Sequence, residues 1–161
     1  MRHLHAWFTQ TEMCSLHILP VEIIHRIFDH FDGQTILLSV RYVCKRLYTI
    51  TDSYNRYELD FSYISKSDFH LIHRIIDPKN VISLTLSDGN KTPDQIGLFL
   101  LHFCIDQFIQ LRSLTLIDVQ DSVLSKFQKY SIKCPLTILS IEYQSSRCIE
   151  AIQWQKASHQ L

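Results

Sequence analysis

Four short runs of alternating apolar and polar residues recur at a nearly fixed interval and restrict this chain more than any other feature does. They are Tyr57-Glu-Leu59-Asp-Phe61, Val81-Ile-Ser-Leu84-Thr-Leu86, Leu111-Arg-Ser-Leu114-Thr-Leu116 and Leu136-Thr-Ile-Leu139-Ser-Ile141. The central leucines Leu59, Leu84, Leu114 and Leu139 lie 25, 30 and 25 residues apart, the spacing of a repeated supersecondary unit. Side chains alternate across a strand, so Leu84 and Leu86, Leu114 and Leu116, and Leu139 and Ile141 share one face. Ser83, Thr85, Ser113, Thr115 and Ser140 take the other. One face is core and the other is wet.

Helical stretches separate the runs. Ser65, three residues before Asp68, is placed to cap the first, which carries Phe69, Ile72 and Ile76 on one stripe beside Leu71 and Ile75. Thr92-Pro93 opens the second at a cap and first-turn position, followed by Ile96, Phe99, Leu100 and Phe103. Asp121 caps a third, shorter helix with Leu124 and Phe127 inward. Strands and helices in alternation imply parallel strands with right-handed crossovers. The fold class is therefore α/β: a short right-handed βα solenoid with a small parallel sheet inside and helices outside, each unit burying its apolar face on the next. An ordinary small α/β domain with a parallel sheet is the alternative. After Gln144 the pattern fades, and a weakly amphipathic run at Cys148, Ile149 and Ile152 predicts a terminal helix. This tail is either the cover for the last edge or the point where the chain is cut short; the pattern admits both.

Ahead of the repeats, residues 19–52 read as three short helices. Pro20 suits a helix's first turn, where its missing N–H has no partner to lose. Apolar residues then fall at Ile23, Ile24, Ile27, Phe28 and Phe31, the stripe of an amphipathic helix. Asp32-Gly33 breaks it, glycine tolerating the left-handed geometry of a C-terminal cap. Ile36, Leu37 and Leu38 form a short second turn. Val40, Val43, Cys44 and Leu47 define a third helix whose polar side carries Arg41, Lys45 and Arg46. So small a bundle seldom stands alone, and it leans either on the rest of its chain or on a second protein.

The order Leu19-Pro20-x-Glu22-Ile23, then Ile27-Phe28, Ile36-Leu37 and Val43-Cys44-Lys45-Arg46 resembles an F-box, the helical motif by which many proteins dock on the adaptor subunit of SCF-type cullin ubiquitin ligases. Where that family often carries Trp, three residues after the Cys, this chain has Leu47, whose smaller area predicts weaker docking. The strand units resemble degenerate leucine-rich repeats, which often follow an F-box and hold the ligase's substrate; the asparagine usual after the strand is not evident. The chain then divides into a disordered stretch at 1–15, the F-box at 16–54, a leucine-rich-repeat-like region at 55–143 and a tail or cap at 144–161.

Sixteen basic and sixteen acidic residues cancel, so overall charge points to neither nucleic acid nor an anionic membrane. Residues 1–15 lack the apolar core of a signal peptide, and the greasiest window, Ile96 to Ile105, falls far short of the ~20 residues that span a bilayer. Five Cys without a CxxC pair suit reduced thiols. A soluble protein of the cytoplasm or nucleus is expected. Three Gly leave no phosphate-binding loop. His70 and His73, three apart on a helix face, lack a third ligand at fixed spacing and read as solvent-facing polar residues. Cys44, beside Lys45 and Arg46, sits on an apolar stripe and reads as packing. No catalytic residue and no cofactor are expected.

The resemblance implies a non-catalytic substrate-recognition subunit of an SCF-type E3 ligase, in the ubiquitin conjugation pathway. Its partners would be the adaptor, through it a cullin, and an unidentified protein substrate. The residues expected to touch the adaptor are Leu19, Pro20, Ile23, Ile27, Leu37, Val43, Cys44 and Leu47. The competing expectation is a ligase-independent interaction module whose helical bundle caps the repeats; exposure of Ile23, Ile27 and Leu37 separates the two.

Overall fold

The computed structural model describes residues 18–89, 93–131, 135–145 and 148–155; the stretch at 1–15 and Thr92 lie outside them. Six helices and one five-stranded sheet make up the described residues. Helices α1 (Val21–Phe28), α2 (Gly33–Leu38) and α3 (Lys45–Ser53) come first. Strand β1 (Tyr57–Asp60), α4 (Lys66–Ile75), β2 (Val81–Ser87), α5 (Gln95–His102), β3 (Ser113–Ile117), α6 (Asp121–Ser131) and β4 (Ile138–Ser145) then alternate. Strand β5 (Cys148–Gln155) ends the sheet.

The repeat leucines share one ladder row. Leu59 lies opposite Leu84, Leu84 opposite Leu114, and Leu114 opposite Leu139, all in parallel pairs between successive strands. Leu84, Leu86, Leu114, Leu116 and Ile141 are buried with Phe69, Ile72, Ile96, Phe99 and Phe127 of the intervening helices. The helices therefore cover the leucine face, while Ser83, Thr85, Ser113, Thr115 and Ser140 stay part-exposed on the other. The Cys148–Ile152 run is strand, not helix. It pairs antiparallel with β4 from Ser145–Cys148 to Ile138–Gln155, because the open outer edge of β4 offers backbone partners that an isolated helical turn lacks.

Ser65 caps α4 as its position predicts, its hydroxyl accepting from the Asp68 N–H at 3.1 Å. Asp121 instead occupies the first turn of α6 itself. Helix α5 starts at Gln95, later than Thr92-Pro93 suggests, after Asp94 in the left-handed region at φ 60°. Its leading Ile96 N–H donates to the Asp88 carboxylate at 2.7 Å. Burial pushes the Asp88 carboxyl up; hydrogen bonds from the Ile96 and Gln95 backbones oppose the shift and Asp94 adds to it.

The helical bundle leans on its own chain. Ile24, Phe28, Ile36, Leu37, Leu47 and Ile50 belong to the same hydrophobic cluster as the sheet's leucines. Gly33 is the first residue of α2, not a left-handed cap, and among the described residues no glycine has positive φ. Its role is close approach: a Cβ there would lie 2.6 Å from the Glu58 carbonyl oxygen and 2.7 Å from Leu59 Cδ2. Asp32 caps the helix in front of it, accepting from the Thr35 N–H and hydroxyl, each at 2.7 Å.

Candidate functional site

Pro20 stands ahead of α1, and its carbonyl accepts from the N–H groups of Ile23 and Ile24 at 3.1 and 3.2 Å. That geometry fixes which way the helix faces. Ile24 and Phe28 turn inward, leaving Val21 and Ile23 37% and 39% exposed.

The segment expected to start a third helix does not run straight through. Residues Val40–Tyr42 form a short 3-10 turn, and Cys44 is extended, φ −158° and ψ 162°, just before α3. Arg41, expected on the polar side, is buried within this turn. Its guanidinium lies 2.5 Å from the Asp52 carboxylate, donates to the Thr51 hydroxyl at 3.2 Å and sits 3.9 Å above the Tyr48 ring. Burial works against its charge, yet Asp52 and Tyr48 hold it above its ordinary value. With Arg41 turned in, Tyr42 and Val43 are turned out, 62% and 71% exposed.

Arg46 donates to the Leu19 carbonyl and so ties the start of α1 to the start of α3. Between them lies an apolar cleft of about 600 Å³, lined by Val21, Cys44, Lys45, Arg46, Thr49 and Ile50. The chemistry on offer is hydrophobic docking rimmed by two cations. Ile18, 84% exposed, extends the uncovered apolar surface at the chain's described start.

The expected docking residues divide into two sets. Pro20, Ile23 and Val43 are exposed, and Leu19, Ile27 and Cys44 are half-buried. Leu37 and Leu47 are 1% and 7% exposed, inside the core shared with the sheet. Leu47 lies one helical turn from Ile50, and Leu37 lies beside Ile36 on the buried side of α2, so their burial follows from the apolar sides of these helices. Val21, Tyr42 and Ile18 were absent from the expected set. A 3-10 turn breaks the 3.6 period, so no spacing signal reaches Tyr42.

His70 is exposed as expected, but His73 is half-buried, and both rings meet His102. Among the described residues no group of three or more His, Cys, Asp or Glu is arranged to hold a metal ion. No described helix is long and apolar enough to cross a membrane.

Residues 16–59 match the F-box domain family. The match takes in α1, α2, α3 and the first three residues of β1, and with them the cleft and the buried Arg41. No curated protein and no solved structure matches the chain.

Proposed function

We propose that this chain is the substrate-recognition subunit of an SCF-type E3 ubiquitin ligase. Its F-box docks on the adaptor, and through it on a cullin, while the repeated strands hold a protein substrate. One observation carries this reading: the F-box leaves Ile18, Val21, Ile23, Tyr42 and Val43 exposed, and Val21 also lines an apolar cleft with Cys44, Thr49 and Ile50. Exposed apolar side chains together with an apolar groove are the mark of a protein-binding surface. A few such anchors dominate an interface, each contributing about 1.5–3 kcal/mol when fully buried.

On this reading the chain supplies position and no catalytic group. Tethering raises the effective concentration of a bound substrate near the ligase's charged E2, and other subunits carry out the transfer. The four parallel strand units are read as degenerate leucine-rich repeats. Their outward positions offer the substrate small hydroxyl side chains, with Glu58, Asp60 and Glu142 the charged residues among them.

A second reading has a specific support of its own. The helical bundle and the sheet share one core, as expected of a bundle that merely caps the first strand of a ligase-independent interaction module. Titrating the purified chain with the adaptor separates the two. Saturable binding that Val43→Asp weakens, with the fold intact, supports the ligase subunit. No binding by the folded wild-type chain overturns it in favour of the module.

A further inference from the structure

Three histidines on two successive connecting helices meet ring to ring. His102, the last residue of α5, has its ring centroid 5.0 Å from that of His70 and 4.6 Å from that of His73, both on α4. Phenylalanines enclose the group: His73 lies 5.1 Å from Phe103, and His102 6.1 Å from Phe69. The His73 ring also donates to the His102 backbone carbonyl. When neutral, the three imidazoles act as an aromatic joint with edge-to-face and tilted contacts, a favourable geometry for rings.

Protonation reverses the sign of that contact. The charges acting on His73 are those of His102, His70 and Arg74, all of one sign. Behind α5, Lys126 of α6 lines the cleft that His102 and Cys104 border. Burial draws the His73 ring below its ordinary value; the charges of His102, His70 and Arg74 add to that effect, and the hydrogen bond to the His102 backbone opposes it. At half-buried His73 and His102, like charges about 5 Å apart are incompletely screened, so protonating a second ring of the group is repulsive.

We propose that His70, His73 and His102 form a proton-operated joint: neutral rings hold α5 against α4, and their protonation on mild acidification parts the two helices. The opening bares Phe69 and Phe103 and loosens the helical cover over β1 and β2. The F-box helices contribute no ring to the group; α2 packs against α4, so the opening reaches them only indirectly. The joint operates independently of what the F-box docks on.

Hydrogen exchange along the full chain, read by mass spectrometry at about pH 7.5 and 5.5, tests this across the histidine range. After correction for the intrinsic pH dependence of exchange, α4 and α5 should open about tenfold more at the lower pH. The α1–α3 amides should change less. His102→Phe, which keeps a ring and removes a titrating group, should cut the rise to less than about threefold. His70→Gln, at an exposed position, removes another ring of the group and should likewise cut the rise. The proposal is overturned by the absence of a rise in wild type, by a rise shared equally with α1–α3, or by a full rise in the variants.

Discussion

Tyr54 donates its hydroxyl hydrogen to the Asp29 carboxylate at 2.9 Å, joining residues 25 positions apart and tying the end of α1 to the end of α3. The Arg56 guanidinium closes on the same carboxylate at 2.9 Å. Burial raises the Tyr54 phenol above its ordinary 10.0, and Asp29 adds to the shift. Tyr57, whose hydroxyl donates to the Thr51 carbonyl at 2.8 Å, is raised too, again by burial first. Above pH 10 the folded state therefore keeps protons that the unfolded chain releases.

The sign follows from linkage: stability is fully present below about pH 10 and is lost as pH rises beyond it. Tyr54→Phe should cost about 1 kcal/mol at neutral pH, the net worth of one hydrogen bond. It should also flatten the alkaline decline. Urea unfolding at about pH 7, 10 and 11 reads both effects; an unchanged alkaline slope in the variant would remove Tyr54 from the account.

Gly33→Ala should destabilise the protein. The added methyl meets the backbone oxygen of Glu58 at 2.6 Å, and a β1 carbonyl cannot swing aside as a flexible side chain can. Overpacking of this kind costs about 1–3 kcal/mol, and better helix propensity offsets at most about 1 kcal/mol of it. Thermal unfolding should show a Tm several degrees lower. A Tm at or above wild type would mean that α2 and β1 have room to separate.

Arg41 is held by geometry as well as charge. Arg41→Lys keeps the cation but loses the planar group that lies over Tyr48 while reaching Asp52 and Thr51. It should be destabilised by about 1–3 kcal/mol, close to Arg41→Ala. Urea midpoints for the pair decide the matter, since a lysine variant near wild type would show that charge alone suffices.

Leu37→Asp and Val43→Asp should fail in different ways. Leu37 is 1% exposed, and an unpaired buried carboxylate there should unfold the F-box, at a cost of about 3–5 kcal/mol or more. Val43 is 71% exposed, and its variant should keep the wild-type circular dichroism spectrum and Tm while binding the adaptor at least about tenfold more weakly. Loss of adaptor binding by Leu37→Asp is thus no evidence about the interface, whereas retention by Val43→Asp would be.

The ladder of Leu59, Leu84, Leu114 and Leu139 was legible in the sequence because a period-2 alternation puts all four leucines on the core face, three of them buried and Leu139 partly so. Ser65 and Pro20 were legible because their signals are local. Arg41 was not: charge predicts the surface, and only the return of α3 brings Asp52 and Tyr48 around it. Gly33 reads as a helix breaker until β1, 25 residues on, is found against it. The Cys148–Ile152 run is too short to separate a period of two from one of 3.6, and the free edge of β4 decided it. Of the residues expected to touch the adaptor, Pro20, Ile23 and Val43 lie at the surface. Leu37 and Leu47 do not, because a periodic apolar stripe marks burial without saying whether one's own chain or a partner does the burying. His102 is 29 residues from His73, a contact no local spacing carries.

Gly33 seated against β1 has a mechanical corollary. With α2 and the first strand in atomic contact and one hydrophobic core running from Ile24 to Ile141, no hinge separates the F-box from the strands. In a ligase, a protein held on those strands would be presented at a fixed bearing to the ubiquitin-carrying enzyme. The fold's own stiffness, more than any linker, would then select which lysines of the bound protein come within reach.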